Sequence, residues 1–442
     1  MRSSLLVVLV ISACGAPGST GLDAGLTPDA GATFDAGITS DAGITFDAGV
    51  TADAGQLTRV IDQFWAKTQW PPYLTLQVGE TATLYGQVWV QQGTELRGAM
   101  PGLDAQVGVG AVGSAPSTWT WTNAVFNLDS GNNDEFKAEV TASTAGLFQY
   151  AFRFRVAGAR WGSQGEWLHA GLAGPTLAEG EAGLLAVKGP GGAVKVATQN
   201  LECVRNDPSA RFDALVTGWA MSGVEVIALQ EVCDEAPLGN TAQLLAQRLT
   251  TRTGATWRHL FLQTHLANNT TPEGLGLLTK LPIAASDTTT LPTQEFPRKA
   301  LLAVVATRAG MLAVCSTHFS FRPEDSAFRV QQAQAVLRFA GGWQGGAHPA
   351  GTALLVAGDF NATPGSGAPM VFTQTTPAFA DAWATTHPGQ PGLSFPSNAP
   401  NERIDYLMVR GLTVSAASHD FTQPFATGKY VSDHSGFSAE LR

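Results

Sequence analysis

Hydrophobic and polar positions divide the chain into stretches with different periods. Leu5 to Ala13 is an apolar run behind the basic start Met1-Arg2, too short for a membrane-spanning helix of roughly 20 residues. From Asp23 to Gly55 a strict six-residue repeat replaces any hydrophobic period. Asp-Ala-Gly begins at Asp23, Asp29, Asp35, Asp41, Asp47 and Asp53, with Thr27, Thr33, Thr39, Thr45 and Thr51 between. Asp and Gly disfavour both helix and strand, and six residues cannot hold the unit of a solenoid. Residues 14–56 are therefore predicted to be a flexible tether, with a mean reach of ~35 Å.

After Pro71-Pro72 the period becomes two. Phe148, Tyr150, Phe152, Phe154 and Val156 share one strand face, with Gln149, Arg153 and Arg155 on the other. Thr83 to Val90 and Thr118 to Trp121 read as further strands, and the cluster Ser130-Gly131-Asn132-Asn133-Asp134 as a turn. With no helical period between them, residues 57–190 are predicted to form an all-β, immunoglobulin-like sandwich. Seven of the eleven Trp lie here (65, 70, 89, 119, 121, 161 and 167). Trp in such a sandwich fills core or, if exposed, offers a platform for glycan contact.

The rhythm changes again at Val194. Lys195 to Thr198, Val224 to Leu229, Leu302 to Ala306, Met311 to Cys315 and Ala353 to Ala357 are apolar runs of buried-strand length. Ala210 to Met221, Thr241 to Thr251 and Ser326 to Ala340 have helical character. Strands and helices in this mixture predict a layered α/β domain over residues 193–442.

Composition limits the choices. The 442 residues are 44% hydrophobic and 14% charged, which excludes a charge-rich disordered polymer and a membrane bundle. Four Cys are too few for a disulfide scaffold. The net charge of −10 argues at first against a partner held by phosphate electrostatics. Its distribution weakens that argument: residues 1–55 carry six Asp and one Arg, residues 56–192 carry 8 basic and 11 acidic side chains, and residues 193–442 carry 17 and 19. Half of the excess belongs to the tether.

Candidate chemistry sits where the apolar runs of the last stretch end. Asn200 follows the first and Glu231 the second; His318 ends Ser316-Thr317-His318; Asp359 and Asn361 lie in Gly358-Asp359-Phe360-Asn361. Asp405 sits in Arg403-Ile404-Asp405-Tyr406, and Asp433 and His434 in Ser432-Asp433-His434. Strand ends are rigid and can aim polar groups into one crevice.

Together and in this order, these motifs resemble the endonuclease/exonuclease/phosphatase superfamily, whose DNase I-like members include nucleases, sphingomyelinases and inositol-phosphate phosphatases. The resemblance spans essentially all of residues 193–442. It implies a four-layer αββα sandwich and attack of water on a phosphate ester, aided by a divalent cation. Glu231, Asn200 and Asp433 are the implied metal ligands. All-oxygen ligation suits Mg²⁺, Mn²⁺ or Ca²⁺. Asp359 would orient or deprotonate the water, and Asn361 would donate to a non-bridging oxygen. His434 would be the acid/base oriented by Asp405, with His318 as the second histidine. By the same resemblance Glu273 is the carboxylate partner of that second histidine, and Arg298 contacts the phosphate. Thr271 and Pro272 stand where DNase I-like enzymes carry a Tyr, a departure from the DNA-contacting pattern. His259, His265, His348, His387 and His419 have no motif context and read as structural.

Cys203 and Cys233 lie just beyond Asn200 and Glu231, so they either form a disulfide or remain two thiols; Cys315, inside an apolar run, reads as buried. Ile11-Ser12-Ala13-Cys14 resembles a bacterial lipobox, which makes residues 1–13 a lipoprotein signal peptide and Cys14 the lipidated residue. The reading is an exported phosphohydrolase, lipid-anchored in the cell envelope and monomeric. Its substrate is a nucleic acid, a phospholipid headgroup or an inositol phosphate. Arg205, Arg298, Lys299 and Arg322 are basic candidates for a nucleic-acid groove, and no clear aromatic membrane-docking hairpin is evident. A non-catalytic surface-binding lipoprotein is the rival of another class.

Overall fold

The computed structural model describes residues 59–163, 165–170, 182–203, 208–236, 238–293, 296–343 and 346–442. The expected signal peptide, Cys14, the repeat tether and Arg205 lie outside the described residues. No helix among the described residues is long and apolar enough to cross a membrane.

Among its described residues the first module has β-strands and a single 3₁₀ turn at Pro116–Thr118. Strands β1 (Phe64–Trp70), β2 (Tyr73–Gln77), β3 (Thr81–Val90), β4 (Leu103–Ala111), β5 (Thr120–Ser130), β6 (Asn133–Thr141), β7 (Gly146–Val156) and β8 (Gly183–Lys188) pair in the order β1-β3-β6-β5-β4-β7-β8-β2. The strand expected from Thr118 begins at Thr120, because Pro116 fixes the φ of a helical turn first. Strand β5 is shared between two ladders: Thr120 to Ala124 pair with β4, and Val125 to Ser130 pair with β6. The two ladders that share β5 enclose one core, in which Phe152 packs against Gly86 of β3. Tyr150, Phe152 and Phe154 are fully buried in that core, on the order of 2–3 kcal/mol each. On the outer face, Arg153 stacks over Trp121 and Trp167 with its Cζ 3.9 and 4.2 Å from the ring centroids. Those indole faces are covered by a guanidinium; Trp65 and Trp70 are the exposed ones.

The edge strand β2 and its neighbour β8 pack on the second module. Tyr73, Leu184 and Ala186 share one buried cluster with Ala306, Met311 and Ala313. The Met311 N–H donates to Thr75 Oγ1 at 2.8 Å, and the Tyr73 hydroxyl meets His348 Nδ1 at 2.7 Å. The chain passes from β8 into the second module through a tight turn, closed by Gly192 N–H donating to Gly189 O at 3.2 Å.

Among the described residues the second module contains a small two-stranded sheet, Gly342–Trp343 with Gly346–Ala347, and two large ones. One, in the order β11-β12-β10-β9-β19-β18, is built from β9 (Val194–Asn200), β10 (Val226–Glu235), β11 (Arg258–Ala267), β12 (Thr271–Thr279), β18 (Val414–Asp420) and β19 (Gly436–Leu441). The other runs β13-β14-β15-β16-β17 through β13 (Ile283–Leu291), β14 (Arg298–Thr307), β15 (Gly310–His318), β16 (Ala353–Asp359) and β17 (Asp405–Arg410), with Ala380–Asp381 at its end. Val196, Val226 and Leu277 of the first sheet pack on Ala303, Val314 and Leu355 of the second. Helices α1 (Pro208–Ser222) and α2 (Thr241–Thr253) cover the outer face of the first. Helices α3 (Ser326–Ala340) and α4 (Gly367–Thr373), joined by β2 and β8, cover the outer face of the second. The order of layers is α, β, β, α, and burial on both faces explains the continuous apolar runs of β14 and β15. Asn240 caps α2 by accepting from the Gln243 N–H at 3.1 Å, and Gly254 ends it at φ 72°.

Candidate active site

Strand register assembles the centre. His318, Asp359 and Asp405 are direct partners across β15, β16 and β17. On the facing sheet Asn200 at the end of β9 partners Gln230, and Glu231 follows it. A bulge between Leu229 and Val232 interrupts the pairing of β10 with β12, and Glu231 takes φ 51° there. Such a bulge re-aims a side chain out of the alternating pattern. Gly358 has φ 146°, and a Cβ there would lie 2.0 Å from the Thr317 carbonyl oxygen. Only glycine lets β16 deliver Asp359 beside His318. Glu202, Cys203 and Asn361 also have positive φ; left-handed non-glycine residues concentrate where surrounding structure over-determines them, often at functional sites.

The side chains form a connected network. His434 Nδ1 lies 2.9 Å from Asp405 Oδ2, which also accepts from the Ser394 hydroxyl at 2.7 Å. Asp359 Oδ2 lies 3.3 Å from His318 Nε2 and 3.8 Å from His434 Nε2. The Asn200 amide donates to Glu231 Oε1 at 3.1 Å and to Asp359 Oδ2 at 3.2 Å. The Asn361 N–H donates to Asp359 Oδ1 at 2.8 Å, while its side-chain amide donates to the Phe319 carbonyl at 3.1 Å. Asp433 Oδ1 comes within 4.0 Å of His434 Nε2, and its N–H donates to Glu202 Oε2. Asn200, Asp359, Asp405, His318, His434 and Arg298 are all buried.

Burial and charge set the protonation. Burial is the largest influence on Asp359 and raises it to about 7, with Asp405 and Glu231 adding to the rise against His434. For His434 burial is again largest and lowers the pKa. Asp405 and Asp359 outweigh it and raise the imidazole to about 10. His318 is pushed well below 6.5 by burial, then by Arg298, His434 and His265, so it is neutral. At neutral pH the centre holds a charged imidazole, a neutral one and a carboxyl near its midpoint.

Two expectations are displaced. Glu273, expected beside His318, instead has its Oε1 3.4 Å from His265 Nε2. The pairing follows register: Glu273 and His265 are partners across β12 and β11, whereas His318 lies on the other sheet. His265, read as structural, therefore belongs to the border of the site. Burial, followed by Glu231, raises Glu273 to about 7. Arg298 is buried at the start of β14, feels Asp359, Glu231 and Glu273 in that order, and its Nε has no hydrogen-bond partner. Cys203 and Cys233 form a disulfide joining the segments beyond Asn200 and Glu231; Cys315 is buried and free.

Four contributors had no motif. Ser394 fixes Asp405, and the Phe395 ring lies 4.8 Å from that of His434. The Gln199 amide donates to His434 O at 2.9 Å. Gln230 donates to Ser316 Oγ at 3.3 Å, pinning the two sheets under the site. For Gln199 and Gln230 a signal existed, amides at the ends of apolar strands; for Ser394 and Phe395 nothing in the local sequence marked them.

The residues fit a hard divalent cation. Among the described residues, one ligand atom each of Asp359, Asp405 and His434 converge within 4.8 Å, but the last two are hydrogen-bonded to each other. Glu231 adds a carboxylate beside the Asn200 amide, and Asp433 one within 4.0 Å of His434 Nε2. Cys203, Cys233 and Glu273 also converge, but the disulfide leaves no thiolate to ligate.

Comparison with known proteins places the chain. A Leptotrichia buccalis endonuclease/exonuclease/phosphatase family protein is 19% identical with a TM-score of 0.47, covering 56% of this chain and 99% of that one. The human nocturnin catalytic domain with bound sulfate is 19% identical, TM-score 0.45, covering 57% and 93%. D. rerio TDP2 complexed with single strand DNA product is also 19% identical, TM-score 0.45, covering 57% and 99%. An amylopullulanase of Thermoanaerobacterium thermosulfurigenes is 32% identical over 91 residues, a match that spans 17% of this chain and 5% of that protein. Residues 197–434, more than half of the chain and the stretch holding every residue of the network, match the sequence model of the Endonuclease/Exonuclease/phosphatase family, and the chain belongs to that family.

Proposed function

We propose that this protein is an exported, divalent-metal-dependent phosphodiesterase of nuclease type, lipid-anchored in the cell envelope. The observation that carries the chemistry is Asp359, held between His318 and the Asp405-oriented His434, with Asn200 linking it to Glu231. Family membership supports hydrolysis of a phosphate ester. The disulfide supports an oxidising compartment.

Glu231, Asn200 and Asp433 would hold the cation, Mg²⁺ or alternatively Mn²⁺ or Ca²⁺, which when bound offsets charge developing on the phosphate. The chain's own groups do the rest. Asp359, near its midpoint at neutral pH, accepts the proton of the attacking water as the new P–O bond forms. The His434 imidazolium and the Arg298 guanidinium face the charge gained by the non-bridging oxygens. The ester P–O bond breaks, and the leaving oxygen takes a proton from water. His318 is neutral and fixes the Asp359 carboxylate from the other side.

The test is hydrolysis of bis(p-nitrophenyl) phosphate by residues 57–442, with Mg²⁺ and with EDTA, followed by a panel of DNA, RNA, sphingomyelin and inositol phosphates. Loss of activity in EDTA, in Glu231→Ala and in Asp359→Ala is expected. Activity indifferent to EDTA overturns the reading, and preference for lipid or inositol phosphate in the panel overturns its nuclease part.

A further inference from the structure

We infer that Phe296 and Phe321 form a stacking subsite for a nucleobase next to the scissile phosphate. The inference rests on the phosphodiesterase reading and names its substrate class as single-stranded nucleic acid. Both rings are unusually open for Phe, 38% and 51% exposed, and their centroids lie 5.6 Å apart at 51°. Both are tied to the centre by short chain connections. Phe296 precedes the buried Arg298 by two residues, and Phe321 follows His318 by three. Such segments reach at most ~7 and ~11 Å. The ring of His265, which pairs with Glu273, lies 5.9 Å from that of Phe296 and closes the path from aromatic wall to active site.

The surrounding charge selects the occupant. The Arg322 guanidinium carbon lies 5.8 Å from the Phe296 ring centroid, with its Nη1 3.9 Å from Glu324 Oε1, and Arg298 follows Phe296 by two residues. Aromatic faces interleaved with cations are what a nucleic-acid strand requires, because a base stacks on the ring while its phosphates meet the positive charge. A membrane-docking face requires instead a contiguous apolar patch of at least a few hundred Å². Two partly exposed rings broken by a guanidinium are a poor lipid surface and a good base-sized one. Neither ring packs in the αββα core, so burial gives no reason for aromatic residues at these positions.

The test compares a thymidine dinucleotide with the same phosphodiester lacking one base, using residues 57–442 with Mg²⁺. Stacking predicts a KM roughly tenfold higher for the abasic compound with the wild type. In Phe321→Ala and Phe296→Ala the ratio of the two KM values should fall to about one, and Phe321→Trp should restore it. Fluorescence anisotropy of a labelled hexathymidylate in EDTA gives a readout independent of turnover, and the alanine variants should bind it about tenfold more weakly. If the wild type binds in this way but cleaves no phosphate ester, the subsite stands and the phosphodiesterase reading falls. Equal KM ratios in wild type and variants overturn the subsite. So does loss of binding to phosphatidylglycerol vesicles with oligonucleotide binding intact, which would make the rings a lipid-docking face.

Discussion

Replacing Asp405 by Asn separates the charge of the His434 partner from its shape. Asn keeps the volume and can still accept from Ser394, so the fold should persist. What is lost is the negative charge 2.9 Å from His434 Nδ1. In the wild type that charge, with Asp359, holds His434 at about 10 against burial, so the ring is charged throughout the neutral range. If the pKa returns to its ordinary 6.5, only about a tenth of the molecules carry the charge at pH 7.5, and about nine-tenths at pH 5.5. Charge alone therefore lowers kcat about tenfold at pH 7.5, and loss of tautomer control extends the fall to roughly 10²–10⁴. The distinctive signature is that the deficit narrows about tenfold between pH 7.5 and 5.5. Steady-state kinetics on bis(p-nitrophenyl) phosphate read the ratio. NMR titration of the imidazoles in EDTA, with His434→Gln for assignment, reads the charge directly. The reasoning fails if wild-type His434 titrates near 6.5, or if the variant keeps kcat within threefold across the range.

Further outcomes follow from other contacts. Gly358→Ala forces a Cβ against the Thr317 carbonyl; it should cost roughly 2–3 kcal/mol in urea denaturation and lower kcat, whereas unchanged stability would contradict the geometry. Reducing the Cys203–Cys233 bond, which spans 30 residues, should remove roughly 3.5 kcal/mol by loop entropy and weaken Mg²⁺ affinity, measured by calorimetry on the oxidised and reduced protein. Residues 193–442 alone expose the surface covered by Tyr73, Leu184 and Ala186; this fragment should unfold at lower urea than residues 57–442, and equal midpoints would argue that the modules fold independently. The folded-state pKa of His434 is raised, so its contribution to stability is full below about 6.5 and is lost as pH rises through about 10. The metal-free wild type should therefore lose more Tm between pH 7 and 10 than His434→Gln, as read by calorimetry in EDTA.

Much of the fold was legible because burial writes itself into local pattern. Tyr150, Phe152 and Phe154 alternate because one face of β7 packs on a core, and β14 and β15 are uninterrupted apolar runs because both faces are covered. Helix α3 coincides with its predicted span, and α2 runs two residues past it to the Gly254 cap. The edge strand β13, with Asp287 and three Thr, has partly exposed faces and gave no such signal.

The sequence by itself determined which residue types carry the chemistry: Asn200, Glu231, His318 and Asp359 were visible as polar groups closing apolar runs, and Asp405 and His434 within short polar motifs. It could not determine which of them meet. The placement of Glu273 against His265, the second hold of Ser394 on Asp405, and the joining of both modules in one core depend on contacts between segments far apart in the chain. The physical reason is that hydrophobic period fixes the face a residue occupies, while its partner is fixed by strand register and sheet stacking. Those are decided only when the two sheets close on each other.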